Sequence, residues 1–234
     1  MSGPTGVGEP VGLLLAEESD VPPDDDWFLP AELATLAGLR VPKRRAEWRL
    51  GRWAAKRAVA AFLGVDAGSV QITAASDGAP EAAVAEDQAP CALSLSHRAG
   101  LAACAVARPG VVVGCDLEAV EPRTLAFVAD YLTAEEARMV EGAPAGERDL
   151  LANLVWSAKE SVLKATRTGL RADTRSVQVR LEPDSAEARP DWMRFSAHVD
   201  DDPVPWAGWW RRIGGHLLTV AARPDPAAPV ELAG

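Results

Sequence analysis

Long apolar runs are missing from this chain of 234 residues. Nowhere do eighteen apolar residues follow one another, which excludes a membrane-spanning helix by hydropathy. Cysteine is scarce, at three: Cys91, Cys104 and Cys115. Their spacing matches no zinc or redox motif, and each sits in an apolar, strand-like segment, so they read as reduced core residues. Positive charge is in deficit. A formal net charge of −10 argues against general nucleic-acid binding. No glycine-rich, phosphate-cradling loop occurs. Residues 1–10 lack the basic and apolar parts of a secretory signal, so a cytoplasmic location is expected.

What is present begins with apolar content of 48%, enough for a substantial core in one larger domain or two small ones. Basic residues are few but clustered. Arg40, Lys43, Arg44, Arg45, Arg49, Arg52, Lys56 and Arg57 lie close together, opposed only by Glu47. A helix is predicted over residues 44–63, stopped by Gly64. Arg45, Arg49, Arg52 and Lys56 share one face of it, beside an apolar stripe of Trp48, Ala55, Ala58 and Phe62. Like charges at that spacing repel, so the face is either solvated or compensated by an anion, and a small polyanion is expected.

Strands are predicted over residues 69–74, 91–96, 101–107, 111–118, 176–181, 194–199 and 216–223. Asp77-Gly78-Ala79-Pro80 reads as a turn, and residues 30–39 as a short helix. Thr133 followed by Glu136 forms a capping box that opens another helix. A longer helix covers residues 150–168, with Gly169 as its stop. Residues 1–11 and 224–234 are Pro-, Gly- and Ala-rich and read as flexible tails.

Three pieces recur in the same order. Trp53-Ala-Ala-Lys56-Arg57-Ala-Val resembles Trp156-Ser-Ala-Lys159-Glu160-Ser-Val; Ser69-Val-Gln-Ile resembles Ser176-Val-Gln-Val; Val106-Ala-Arg-Pro resembles Ala221-Ala-Arg-Pro. The pattern helix, strand, strand argues for a duplicated unit. The expected fold class is therefore α+β: two similar α/β subdomains, residues 12–110 and 111–223, related by pseudo-twofold symmetry with a ligand cleft between them. The first copy has Arg57 where the second has Glu160, so the chemistry is not duplicated.

The predicted strand 111–118 places Val111, Val113, Cys115 and Leu117 on one face and Asp116 and Glu118 on the other. The two acids are about 6.5–7 Å apart at Cα and repel unless a cation or proton intervenes. Hard oxygen donors suit Mg²⁺. A paired acid facing solvent at a strand end is the other reading. On the helix, Trp156, Glu160 and Lys164 share a face; that spacing also suits an ordinary solvated ion pair. His97, with Ser96 and Arg98, stands at a strand end, as a polar turn residue or as a phosphate contact.

Taken together, Gly114-Cys-Asp116-Leu-Glu118 and Trp156-Ser-Ala-Lys-Glu160-Ser-Val-Leu-Lys164 resemble the signature of 4′-phosphopantetheinyl transferases. Ser94-Leu-Ser96-His97 resembles that family's Ser-His strand end, and Lys43-Arg44-Arg45-Ala-Glu-Trp48 with Gly51-Arg52 its basic helix. The length and two-part layout resemble the pseudo-dimeric, Sfp-type branch. The resemblance implies transfer of 4′-phosphopantetheine from coenzyme A to a serine of an acyl or peptidyl carrier protein, with release of 3′,5′-ADP. It implies a monomer, with coenzyme A and the carrier as partners and neither nucleic acid nor membrane. Asp116, Glu118 and Glu160 would hold Mg²⁺ or Mn²⁺. Lys164 would contact the phosphates. Arg44, Arg52 and His97 would grip the 3′-phosphate, and Ser96 would line the adenosine side. Glu160 and Lys164 would be the catalytic pair, with either Glu160 or a metal-bound water as the base for the serine hydroxyl.

One departure is the turn Gly78-Ala79-Pro80, where family members often carry Gly-Lys-Pro; Arg98 or Arg45 is the expected substitute cation. Two other functions are weighed: a non-catalytic coenzyme A or carrier-binding module of the same fold, which has no need of three acids, and an unrelated Mg²⁺-dependent phosphohydrolase, for which no nucleophile motif exists.

Overall fold

The computed structural model describes residue 8, residues 10–182 and residues 191–233. In chain order the elements are β1 (Pro10–Glu17), α1 (Pro30–Gly38), α2 (Pro42–Leu63), β2 (Val70–Ala74), β3 (Pro80–Val84), β4 (Asp87–Gln88), β5 (Ala92–Arg98), β6 (Leu101–Ala107), β7 (Val112–Ala119), α3 (Leu125–Tyr131), α4 (Ala134–Gly142), α5 (Arg148–Ala165), β8 (Val177–Leu181), β9 (Met193–Val199), β10 (Trp206–Ile213), β11 (His216–Arg223) and β12 (Ala227–Glu231).

Local signals place the helices. Pro42 at the first position starts α2, and Gly64 ends it in the left-handed region at φ 69°. Thr133 caps α4: its hydroxyl accepts from the Glu136 N–H at 3.3 Å, and the Glu136 carboxylate accepts from the Thr133 N–H at 2.7 Å. Helix α5 stops at Ala165, before the glycine expected to end it. Arg167 takes the left-handed conformation instead, at φ 59°.

Two larger sheets form, ordered β12-β1-β6-β5 and β7-β11-β10-β9-β8, with a small β2-β3-β4 sheet beside the first. Strand β6 is apolar throughout because both its faces are buried. Ala102, Cys104 and Val106 pack toward α2, whereas Ala103, Ala105 and Ala107 meet Val113, Cys115 and Leu117 of β7. Strand β11 does the same in the other sheet: Leu218, Val220 and Ala222 join the shared core and Ala221 joins the α5 side. The order of layers is helix, sheet, sheet, helix. This is an α+β protein with two subdomains whose sheets share a central core.

The duplication extends to a buried ion pair in each half. Lys56 of α2 bonds Glu32 of α1 at 2.8 Å, and the same carboxylate accepts from the Ile72 N–H of β2. Lys159 of α5 bonds Glu136 of α4 at 2.8 Å, and that carboxylate accepts from the Val179 N–H of β8. Lysine, glutamate and strand amide thus tie the long helix to the short helix and the following strand in both halves.

The expected flexible tails need correction. Residues 10 and 11 belong to β1, and β12 occupies residues 227–231, pairing parallel to β1. Pro229 is tolerated there because β12 is an edge strand, and Leu232 closes over Gly12. The remainder of the N-terminal tail, residues 1–7 and 9, and residue 234 lie outside the described residues.

Each buried lysine should be indispensable to its half. Lys159→Met strands the Glu136 carboxylate in the core and is expected to cost about 3–5 kcal/mol of unfolding free energy. Lys56→Met should do likewise at Glu32. Urea unfolding followed by tryptophan fluorescence measures both.

Candidate active site

Strand β7 lies so close to α5 that one residue type fits at the crossing. A Cβ on Gly114 would stand 1.9 Å from the Ser161 carbonyl oxygen and 2.6 Å from the Ala165 nitrogen. Because alternate strand residues share a face, Asp116 and then Glu118 follow Gly114 along the same helix. The acids are therefore delivered to the helix face that carries Trp156, Glu160 and Lys164.

Asp116 is buried and fully engaged. Its Oδ1 accepts from Lys164 Nζ at 2.7 Å and from Ser96 Oγ at 3.0 Å; its Oδ2 accepts from Ser157 Oγ at 2.8 Å. Lys164 also donates to Ser96 Oγ at 3.0 Å. Burial lowers the Lys164 pKa, but Asp116, Cys115 and Glu160 outweigh it and leave the ammonium above its ordinary value.

This network spans the junction of the halves. Ser94 and Ser96 come from β5 at the edge of one sheet, and Asp116 from β7 at the edge of the other. Ser94 Oγ accepts from the Cys115 N–H at 2.9 Å. Side chains rather than a backbone ladder join these edges.

Glu118 is held by Trp156, whose indole N–H donates to Oε1 at 2.9 Å. Arg98 and Arg123 both stand 3.6 Å from Oε2, which is buried and accepts no hydrogen bond. Burial and the charge of Asp116 raise the Glu118 pKa. Glu160 is buried, and its Oε1 also lacks a hydrogen-bond partner. Burial first, then Asp116, pushes its pKa up to about 7. Electrostatic coupling thus puts all three acids in one neighbourhood. Among the described residues, however, no three His, Cys, Asp or Glu side chains form a ready-made metal cluster. Asp116 turns its oxygens to Lys164 and the serines instead.

The basic face of α2 is compensated from within the protein. Arg45 and Arg49 both pair with Asp25, and Lys56 is spent on Glu32. Asp25 comes from the acidic loop before α1 and supplies the anion that the sequence pattern requires. Arg52 escapes this. Its guanidinium stacks 4.7 Å over Trp48, Nε has no partner, and burial lowers its pKa against the pull of Glu32. Arg44 is exposed on the first turn of α2 and forms no ion pair among the described residues. His97 stands beside Gly51 of α2, 3.8 Å from where a Cβ there would lie. Although His97 is exposed, partial desolvation of the ring and then the charge of Lys164 hold its pKa below the ordinary value despite Glu47.

Ser96, expected at the adenosine side, points its hydroxyl into the acid–lysine network. Arg98 and Arg45, the expected stand-ins for a lysine at Ala79, are bound to Glu118, Glu121 and Asp25. Sequence reasoning missed Ser157 and Arg123. Ser157 follows Trp156 directly and lies one helical turn before Glu160, which is the signal that marked it. Arg123 sits in a loop with no periodicity. Beyond the network, a cavity of about 740 Å³ opens between the turn at Gly78-Ala79-Pro80 and the C-terminal end of α5, with Lys164 in its wall.

Residues 112–220 match the family model of the 4′-phosphopantetheinyl transferase superfamily, and residues 34–107 match the model of the 4′-phosphopantetheinyl transferase N-terminal domain. The chain belongs to this family, in its Sfp-type branch. Among individual relatives, it is similar to the 4′-phosphopantetheinyl transferase HetI of Nostoc sp. (strain PCC 7120), at 26% identity over 178 residues, 74% of each chain. Among solved structures, it is similar to the holo-[acyl-carrier-protein] synthase of Helicobacter pylori in complex with coenzyme A. That match has 16% identity and a TM-score of 0.34, over 42% of this chain and 98% of the other, and carries no argument here.

The Glu160 carboxyl should respond to its neighbours in opposite directions. In metal-free protein, Asp116→Asn removes a repelling charge and should lower the Glu160 pKa from about 7. Lys164→Met removes an attracting charge and should raise it. Carboxyl-carbon NMR of glutamate-labelled protein across about pH 3–9, from below the ordinary glutamate value upward, reads both shifts.

Proposed function

We propose that this protein transfers 4′-phosphopantetheine from coenzyme A to a serine of an acyl or peptidyl carrier protein, releasing 3′,5′-ADP. Family membership supports the transfer to a carrier. The observation that carries the mechanism is the placement of Glu160: a buried carboxyl with one oxygen free of hydrogen bonds, coupled to Asp116 and Lys164 at the seam between the halves. A carboxylate oxygen left free in this way is available to accept a proton from a hydroxyl.

The reaction joins the serine Oγ to the β-phosphorus of coenzyme A, the one that bears the pantetheine arm, and breaks that phosphorus's bond to the bridging oxygen of the leaving 3′,5′-ADP. Glu160 takes the serine proton. Lys164 would contact the phosphates and offset the charge that gathers on the leaving oxygens. Arg44, Arg52 and His97 hold the 3′-phosphate; the first two are free of ion pairs among the described residues, which supports that role. Ser96 orients Asp116 and Lys164.

The donor set fits a divalent ion, Mg²⁺ or Mn²⁺. Glu118 Oε2 and Glu160 Oε1 are buried carboxylate oxygens with no hydrogen-bond partner, and with Asp116 they would hold it. When bound, such an ion supplies neutralisation of the diphosphate and polarises the reacting phosphorus.

A carrier has a surface to meet on α3 and α4. Leu125 is 78% exposed, and Tyr131 and Met139 are also exposed. Tyr131 and Phe127 pack against Trp156, which bonds Glu118, so this surface adjoins the acids. Both halves are in one chain, so a monomer suffices. No helix among the described residues is long and apolar enough to cross a membrane.

The test is to mix the protein with coenzyme A, Mg²⁺ and an apo carrier domain and weigh the carrier by mass spectrometry. A gain of one phosphopantetheine is expected. Glu160→Gln should slow that gain by about 10²–10⁴-fold with an unchanged circular dichroism spectrum. A carrier that never gains mass, with coenzyme A still bound, would turn the reading to a non-catalytic binder.

A further inference from the structure

Three cations line the cavity of about 740 Å³ behind the acid network: Lys164, Arg167 and Arg171. Two are already neutralised. Lys164 bonds Asp116. Arg167 bonds Asp77 through two nitrogens, at 2.7 and 3.0 Å, and Glu81 at 3.0 Å. Arg171 differs. Its hydrogen bonds go to neutral carbonyl oxygens, those of Arg167 at 2.8 Å and Asp77 at 3.5 Å, and it forms no ion pair among the described residues.

Those two carbonyls stand on opposite walls. Asp77 belongs to the turn between β2 and β3 of the first half, and Arg167 to the segment just after α5 in the second. The Arg167 clasp on Asp77 and Glu81 therefore fixes the distance between the walls and the position of Arg171 across it. The backbone cooperates: Arg167 and Gly169 both take positive φ, at 59° and 51°, which turns the chain back and carries Arg171 to the cavity wall. A non-glycine residue in that region is uncommon and needs surrounding contacts to hold it, and here the clasp is that contact.

A guanidinium has five N–H donors in a fixed fork. Two carbonyls leave the positive charge of this exposed side chain without an anionic partner among the described residues, at the wall of a cavity whose other lining includes apolar Pro80, Leu93 and Leu95. That combination of an apolar wall and one uncompensated cation suits a nucleotide, with its flat base and its phosphate oxygens. We propose that Arg171 anchors a phosphate group of coenzyme A in this cavity, and that Arg167, with Asp77 and Glu81, is the positioning residue that holds it there. This rests on the transferase reading. Lys164 in the same wall favours the diphosphate, since none of Arg44, Arg52 and His97 lines this cavity; the experiment tests this against the 3′-phosphate.

Isothermal titration of the full chain with coenzyme A, and with 3′-dephospho-coenzyme A, compares wild type, Arg171→Ala and Arg171→Lys. Arg171→Ala should weaken coenzyme A binding about tenfold, as expected for loss of one charge-assisted contact. Its melting temperature should stay unchanged, and Arg171→Lys should recover part of the loss. A loss that vanishes with the dephospho ligand assigns Arg171 to the 3′-phosphate; a loss that persists assigns it to the diphosphate. Arg167→Ala should weaken binding too, but Arg167→Ala/Arg171→Ala should be no weaker than Arg171→Ala alone, because the clasp acts only through Arg171; additive losses would overturn the positioning role. Equal affinities for wild type and Arg171→Ala, with wild type binding normally, would overturn the Arg171 assignment and leave the transferase reading standing. A wild type that binds no coenzyme A would remove that reading, and this inference with it.

Discussion

The contact between Gly114 and the backbone of α5 is the constraint from which the site follows. It sets β7 against the helix at a separation no side chain permits. From that crossing, two residues along the strand advance about 6.6 Å, and four residues along the helix advance about 6 Å. The two periods nearly match. Gly114 faces Ser161, and Asp116, two residues on, meets Ser157, four residues back. Glu118 then meets Trp156, and the long Lys164 side chain returns to Asp116. The match covers the step from Gly114 to Asp116; Glu118 is met by the long Trp156 side chain, from the residue next to Ser157. A larger residue at position 114 would lift the strand off the helix and separate every pair at once.

Duplication supplies the frame, and divergence supplies the chemistry. Both halves anchor their long helix with a buried lysine, a glutamate from the preceding short helix and an amide of the next strand. A buried ion pair is weak evidence for net stability. Its recurrence here, with the same three partners, shows instead how the position of each long helix is specified. With both helices fixed in the same way, the residue next along can differ: Arg57 in the first half, Glu160 in the second. The asymmetric charge at the seam is one consequence.

Much of this was legible in the residues. The alternation in Val111 to Glu118 gave the strand and the side on which the acids lie. Gly64 and the Thr133–Glu136 box gave helix limits, and the internal repeat aligned Lys56 with Lys159, the two lysines that the fold buries. What escaped had physical causes. Strand β12 carries Pro229 and alanines, an unpromising composition that is acceptable only at a sheet edge. Strand β10 has Gly208 where the Phe195 ring presses in, which breaks its alternation. The whole basic face of α2 read as an anion site because the sequence does not reveal that Asp25 and Glu32 fold back onto Arg45, Arg49 and Lys56 and leave Arg52 without an ion pair among the described residues. Ser96 stood at the right strand end, but the direction of its hydroxyl depends on a strand from the other half.

The pairing of β12 with β1 has a bearing on how the molecule is made. Strand β12 is the outer neighbour of β1. While the protein is still being synthesised, β1 keeps one row of backbone groups bare, and that row finds its partner only when residues 227–231 leave the ribosome. The first half therefore ripens last, and any nascent chain halted short of Ala227 presents an open sheet edge to whatever lies nearby.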